Sequence, residues 1–306
     1  MTTRVFHGSS SYPSPSPNPV VTVGNFDGVH LGHRSLLATT KHRALKEGVP
    51  ACVYTFDPSP VQVLRPDLAP QRLQRIEDRV DALLAFGMDQ VVVEPFTPEL
   101  SAMSHEQFAS GVLRKRLSPT AMIVGWDFRF GHGRQGTCAD LQTLLPCDVH
   151  QVHAVEIGGS VVSSSRIRRL LSRGEVEQLV PLLGRPHELV GRVIHGEARG
   201  RQLGFPTANV ALQGFAIPPA GVYAVRARLP AGEALIGVAN LGTRPTFNGE
   251  GLSLEVHLLD WSQDIYGEEL RVEFITKLRE EQQFASPQHL TAQIERDIIR
   301  ARACLS

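Results

Sequence analysis

Two histidines three residues apart are the first side chains in this sequence whose spacing could do chemistry. In Val20–His33, read VVTVGNFDGVHLGH, His30 and His33 flank Leu31-Gly32 where a β-branched run has ended and a helix is due to begin. Val20 to Val23 predicts a buried strand, and Gly24, Asn25 and Asp27-Gly28 predict a turn. Strand, glycine-containing turn and helix N-terminus in that order make an anion site, because backbone N–H groups and the positive end of the helix dipole converge there. Imidazoles at that place are donors where negative charge would develop. Two other readings fit the same residues. The histidines could merely cover the first turn of a capped helix, or bind a metal, which requires a third ligand at a fitting spacing.

Further stretches carry groups suited to a phosphate-bearing substrate. Gly125-Trp126-Asp127-Phe128-Arg129-Phe130-Gly131 follows a predicted strand, and Ser163-Ser164-Ser165-Arg166-Ile167-Arg168 offers hydroxyls and guanidinium forks. Each has a plain structural reading: Asp127 in a surface turn, the phenylalanines in a core, the serines as a helix cap, the arginines on a solvated face. Shared location raises them, since ligands of open α/β sheets collect beyond the carboxyl ends of the strands. For Ser163–Arg168 this requires the short apolar run before it to be the last strand. In the second half, Leu254-Glu255-Val256-His257-Leu258 alternates, so Glu255 and His257 share the face opposite the three apolar residues. A carboxylate on the polar face of a strand is usually just solvated.

The elements that must position these groups follow from periodicity. Arg34–Lys46 predicts a helix closed by Gly48, and Ala51–Phe56, Val91–Val93 and Ala121–Val124 predict strands. Leu73, Ile76, Val80, Leu83 and Leu84 keep helical spacing up to Gly87, and His105–Leu117 predicts another helix. Alternating strand and helix means an α/β unit, a parallel sheet with helices on its faces. After about Pro186, short alternating segments take over: Leu189–Ile194, Gly221–Leu229, Ala234–Ala239, Leu252–Leu259 and Leu270–Leu278. They predict an antiparallel sheet or small barrel. A last helix starts at Ser286-Pro287 and packs Leu290, Ile294 and Ile298 on that barrel. The domain boundary falls near Leu183–His187. Ahead of everything, Met1–Pro19 holds four prolines among serines, which predicts a surface arm.

Composition bounds the function. A chain of 306 residues is comfortable for two domains, and 42% apolar residues can fill their cores. Thirty-one basic and thirty-one acidic residues cancel, which argues against a nucleic-acid partner, whose binding leaves a basic footprint. Small anions such as ATP need only a few local donors. The four cysteines have no paired spacing and read as free thiols. With no signal peptide and no apolar run long enough for a bilayer, the expectation is a cytoplasmic protein without a membrane partner. The oligomeric state is open.

In order along the chain stand GNFDGVHLGH, VGWDFRFG, SSSRIR, GRQLGFPTAN, GTRPTF, LEVHLLD and YG. That series resembles the bacterial bifunctional riboflavin kinase/FMN adenylyltransferase (FAD synthetase) family, from Val20 to the C-terminus. The resemblance implies a Rossmann-like nucleotidylyltransferase domain over residues 20–185 and a β-barrel riboflavin kinase domain over 186–306, with 1–19 as the arm. It implies two reactions, riboflavin to FMN and FMN to FAD, with ATP as co-substrate and Mg²⁺ as cofactor. By resemblance, His30, His33 and Arg168 stabilise charge in adenylyl transfer, and Glu255 is the base of the kinase. Nucleotide contacts are implied for Gly24, Asn25, Phe26, Asp27, Gly32, Asp127, Ser163, Ser164, Ser165 and Arg166, and in the second half for Gly200, Gly204, Phe205 and Pro206. Thr207 and Asn209 are the implied magnesium ligands, and Phe128 and Arg279 the implied flavin contacts. Gly196–Gly204 is the expected mobile cover. Ser165 stands where the family often has Thr, which keeps the hydroxyl. Glu280 and Gln283 depart from the Pro and Lys of some members. Two rival classes remain beside this one. A chain with a single surviving activity would have lost groups such as His30, Asp127 or Arg168, and a non-enzymatic flavin sensor would not need Glu255 with Thr207 and Asn209.

Overall fold

The structure, a computed structural model, describes residues 4–196, 200, 203–212, 214–230, 232–246 and 249–305; side chains 243–246 and 249–252 lie outside that description. The chain divides into two compact units, Met1–Ser164 and Ser165–Ser306.

The first unit is built on a six-stranded, all-parallel sheet. Its strands are β1 (Val5–His7), β2 (Val20–Val23), β3 (Ala51–Phe56), β4 (Gln90–Glu94), β5 (Ala121–Gly125) and β6 (Asp148–Val152). The order across the sheet is β1-β4-β3-β2-β5-β6. Both faces are covered. On one, Val20, Val53, Val91 and Ile123 pack against Leu37 and Ala44 of helix Leu31–Glu47 and Val80 and Leu83 of helix Ile76–Phe86. On the other, Val21, Tyr54, Val92 and Met122 pack against Phe108, Val112 and Leu113. Strands buried on two sides need continuous apolar runs, and β2 to β5 have them. Gly48, at φ 69°, closes the first helix in the left-handed conformation that glycine takes without steric cost.

Both edge strands escape the periodicity argument. Residues 4–19 are not an arm: Val5 and His7 of β1 pair with Val91 and Val93, and the Tyr12 hydroxyl donates to Gln90 Oε1 in a buried contact. Three residues are too few for a periodic signal, and the prolines lie in the connection back to β2. β6 is mostly polar because it is an edge, with Val149 its one buried residue. The run before Ser163 is therefore not the last strand of the sheet. It belongs to a two-residue hairpin, β7 (Glu156–Ile157) with β8 (Ser160–Val161).

The second unit is a closed antiparallel barrel. Its strands are β9 (His187–Ile194), β10 (Ala208–Val210), β11 (Gly221–Arg228), β12 (Ala234–Thr246), β13 (Gly249–Leu258) and β14 (Glu269–Arg279), ordered β10-β13-β12-β11-β14-β9. The helix Pro287–Leu305 packs Ala301 and Leu305 on Val222, Ala224, Val238 and Leu278. Burying a leucine side chain is worth about 2 kcal/mol and an alanine methyl about 0.8 kcal/mol. Residues 165–186 join this unit: the carboxylate of Glu177 accepts from the Thr276 hydroxyl and, at 3.2 Å, from the backbone N–H of Lys277. The compact units thus part at Ser164/Ser165, ahead of the change in pattern near Leu183.

Candidate active sites

The strand-turn-helix stretch builds the first site. β2 ends at Val23, and His30 caps the helix Leu31–Glu47, its Nδ1 accepting from the backbone N–H of His33 at 3.3 Å. The two imidazoles stack with centroids 3.6 Å apart, and the Phe26 ring lies 5.1 Å from that of His33. Burial first, then the neighbouring His30 and the Arg79 guanidinium, hold the pKa of His33 well below its ordinary value. His33 is therefore a neutral imidazole at pH 7, and its buried Nδ1 has no hydrogen-bond partner among the described residues. A Cβ on Gly32 would stand 3.1 Å from the His30 ring and 3.2 Å from the carbonyl oxygen of Val162, so any side chain there has to push one of them aside by a few tenths of an ångström. The turn is strained as well. Phe26 and Val29 sit at φ 52° and 42°, a conformation costing about 1–3 kcal/mol per residue, and both are buried.

Two residues of this loop tie it to the rest of the unit, Asp27 through its side chain and the exposed Asn25 through its backbone carbonyl. Both carboxylate oxygens of Asp27 accept from the backbone N–H of Leu73 at 3.1 Å, and its carbonyl accepts from Ser164 Oγ at 2.9 Å. The Asn25 carbonyl accepts from Thr55 Oγ1 at 3.2 Å and from Arg79 Nη1. Their side of the site is a scaffold as much as a contact surface. Arg79 is the residue that sequence reasoning missed. Its signal was positional: three residues after Ile76 and four before Leu83, it lies on the stripe that the helix buries.

Beyond β5, residues 125–131 form a closed loop. Phe130 and Gly136 exchange backbone hydrogen bonds at 3.1 and 2.9 Å, and the Phe128 and Phe130 rings stack at 5.6 Å. Asp127, Arg129 and Trp126 remain exposed and line a cavity of about 500 Å³ together with Phe128, Arg134 and Gln151. Gln151 Nε2 donates to the carbonyl of Trp126 at 2.9 Å, which ties this loop to the end of β6. Ser163 precedes, and Ser164 begins, the helix Ser164–Leu171; Ser165 is exposed, and Arg166 and Arg168 are half-buried along it. Nδ1 of His132 lies 3.0 Å from the carbonyl of Ser101, outside the ring of expected residues.

The barrel brings a second group together. Glu255 pairs across β13 with Asn209 of β10 on one side and Asn240 of β12 on the other, so three polar side chains stand in one row. Thr207 Oγ1 donates to Glu255 Oε2 at 3.4 Å. Leu254, Val256 and Leu258 are buried while Glu255 and His257 are half-buried, as the alternation requires. His257 Nδ1 lies 2.8 Å from the carbonyl of Pro206, and the Phe205 ring meets its imidazole edge-on at 5.7 Å. Phe205 N–H donates to the carbonyl of Gly200 at 2.8 Å, which closes the turn containing Gly204. Asn240 was not foreseen, because its register partner only appears once the strands pair. Of the expected cover Gly196–Gly204, residues 197–199, 201 and 202 lie outside the described residues.

Arg279 sits at the end of β14. Its guanidinium donates to the carboxylate of Asp297 from Nε at 2.9 Å and pairs with it from Nη2 at 2.9 Å, tying the strand to the C-terminal helix. No helix among the described residues is long and apolar enough to cross a membrane.

Two family models divide the chain much as these two sites do. Residues 13–166 match the FAD synthetase model and residues 183–305 the riboflavin kinase model. A bifunctional riboflavin kinase/FMN adenylyltransferase of Escherichia coli is 41% identical over 94% of this chain and 93% of its own. Proteins of the same description from Pseudomonas fluorescens and Bacillus subtilis are 42% and 38% identical, over 93% and 91% of this chain and 92% and 90% of theirs. The chain belongs to the bifunctional riboflavin kinase/FMN adenylyltransferase family. A crystal structure described as a macrolide-efflux protein of Streptococcus pneumoniae covers 99% of this chain and 99% of its own at TM-score 0.89 and 31% identity. That likeness carries the architecture. In this family's terms, the α/β unit with the stacked histidines is the adenylyltransferase and the barrel with Glu255 is the kinase.

Proposed function

We propose that the barrel phosphorylates riboflavin to FMN with ATP, and that the α/β unit joins FMN to the AMP part of a second ATP, releasing pyrophosphate. The observation that carries this reading is the presence, on one chain, of a stacked histidine pair at a strand-turn-helix junction and a Thr207–Glu255–Asn209 cluster on a barrel. We assign the first activity to residues 186–306 and the second to 20–185.

In the α/β unit an oxygen of the FMN phosphate attacks the α-phosphorus of ATP, and the bond to the pyrophosphate oxygen breaks. No protein nucleophile is needed, so the work is positioning and charge stabilisation. His30 and His33 supply imidazole donors, the backbone N–H groups at the start of helix Leu31–Glu47 supply more, and Arg168 supplies a forked cation. Gly32 admits the phosphates close to the backbone. Phe128, half-buried beside Phe130, offers a ring face for a flavin.

In the barrel Glu255 takes the proton of the ribityl 5′-hydroxyl as that oxygen attacks the γ-phosphorus of ATP, and the bond from that phosphorus to the bridging oxygen breaks, releasing ADP. Mg²⁺ suits the donor set, since the Thr207 hydroxyl and the Asn209 amide oxygen are hard oxygen ligands for an ion that binds few protein groups and shares phosphates. Bound there, it would neutralise phosphate charge. Gly200, Gly204, Phe205 and Pro206 border the same place. The four cysteines, none in a disulfide, agree with a reducing cytoplasm.

Incubating purified protein with riboflavin, ATP and Mg²⁺ and separating the flavins tests the reading. FMN followed by FAD is expected. FMN alone reduces the chain to a kinase, and the absence of both products refutes the proposal.

A further inference from the structure

Arg79 is 3% exposed in helix Ile76–Phe86, yet among the described residues its ion pair is a long one, 3.8 Å to Asp57. Nη1 donates to the carbonyl of Asn25 and lies 3.5 Å from Thr55 Oγ1 and 3.4 Å from the carbonyl of Phe56. Nη2 stands 3.8 Å from Asp57 Oδ1, and Nε is buried with no hydrogen-bond partner. Taking a guanidinium out of water costs several kcal/mol, and carbonyls repay it poorly. An aliphatic side chain at this point of the buried stripe would pack at no such cost. The cation is retained for what it holds, and it holds two loops: residues 24–27 leave the carboxyl end of β2, and 56–57 leave that of β3, its neighbour. Leu73, just ahead of the same helix, clasps the first loop from its other end through the Asp27 carboxylate.

We propose that Arg79 is a positioning residue for adenylyl transfer: its fork fixes the loop 24–27 against the loop 56–57 and so holds the histidine-capped helix in register with the neighbouring strand end. The proposal rests on the adenylyltransferase reading of this unit. A misplacement of about 1 Å costs on the order of a hundredfold in rate, because the reacting atoms lose alignment while most binding contacts survive. The effect of losing the fork therefore falls on kcat more than on KM. Nη1 by itself meets a carbonyl of each loop, Asn25 and Phe56, and the fork adds the Asp57 carboxylate through Nη2; a lysine ammonium, a single point, cannot hold all three positions.

The test compares full-length wild type, Arg79→Met and Arg79→Lys. It reads FAD formation from supplied FMN and ATP, FMN formation from riboflavin, and amide hydrogen exchange. Both variants should lose at least tenfold in kcat for FAD formation, with KM for ATP changed less than threefold and FMN formation unchanged. Exchange should rise at 24–27 and 55–57 in both. Unchanged kcat in Arg79→Met overturns the proposal, as does full rescue by lysine, which would make a single cationic donor sufficient and leave the fork without a role. Exchange raised throughout the α/β unit would make Arg79 a general stability element and also overturn it. Should wild type make no FAD, the functional reading fails separately, and exchange that does not rise at both loops still sinks the role of Arg79.

Discussion

The imidazoles of His30 and His33 lie 3.6 Å apart and within 16° of parallel. Burial first, and then the neighbouring His30, holds the pKa of His33 down, since two cations cannot share that stack at low cost. His30→Ala removes both the helix cap and a donor on the phosphates. It should lower FAD formation by 10²–10³-fold, the range for loss of one preorganised donor. FMN formation by the barrel should be spared; a matching loss there would break the two-site assignment.

Glu255 is flanked by Asn209 and Asn240 across its strand neighbours and receives the Thr207 hydroxyl. Glu255→Gln keeps the shape and removes the base. FMN formation should fall by ~10²-fold or more, and conversion of supplied FMN to FAD should stay within twofold. Parallel assays of the two half-reactions decide this, and an equal fall in both would put Glu255 in the wrong site.

His187 is 2% exposed inside the barrel, where burial lowers its pKa to about 4 from an ordinary 6.5. The unfolded chain therefore binds more protons below pH 6.5. Stability is constant above that value and is lost as pH falls toward about 4, by up to about 3 kcal/mol. His187→Gln should flatten the dependence of the barrel's melting temperature on pH between 7 and 4.5. An unchanged slope would assign the acid sensitivity elsewhere.

Arg279 pairs with Asp297, which is 1% exposed and also accepts from Gln293 Nε2 at 2.8 Å. Removing one partner of such a pair leaves a buried charge. Arg279→Ala should cost about 3–5 kcal/mol of stability, read by denaturant unfolding. If instead stability holds and only the KM for riboflavin rises, the side chain serves the flavin and the ion pair is incidental.

Much of this protein is written locally. β2 to β5, the helix ends at Gly48 and Gly87, the barrel strands around Glu255 and the cap at Ser286 all follow from periodicity and turn chemistry, which act over a few residues. So does the histidine pair, because a β-branched run, a glycine turn and a helix start are local signals. The sequence alone thus determined the two fold classes and the residue types to which the chemistry is assigned in our proposal. Tertiary structure decided the rest. β1 and β6 are strands only because a sheet edge accepts short or polar segments. Asp27 turns its carboxylate to Leu73, forty-six residues away, and Arg79 is buried against Asn25, fifty-four away. Asn209 and Asn240 meet Glu255 through strand register. Pairings at such separations depend on how whole strands and helices pack, and no local pattern encodes them.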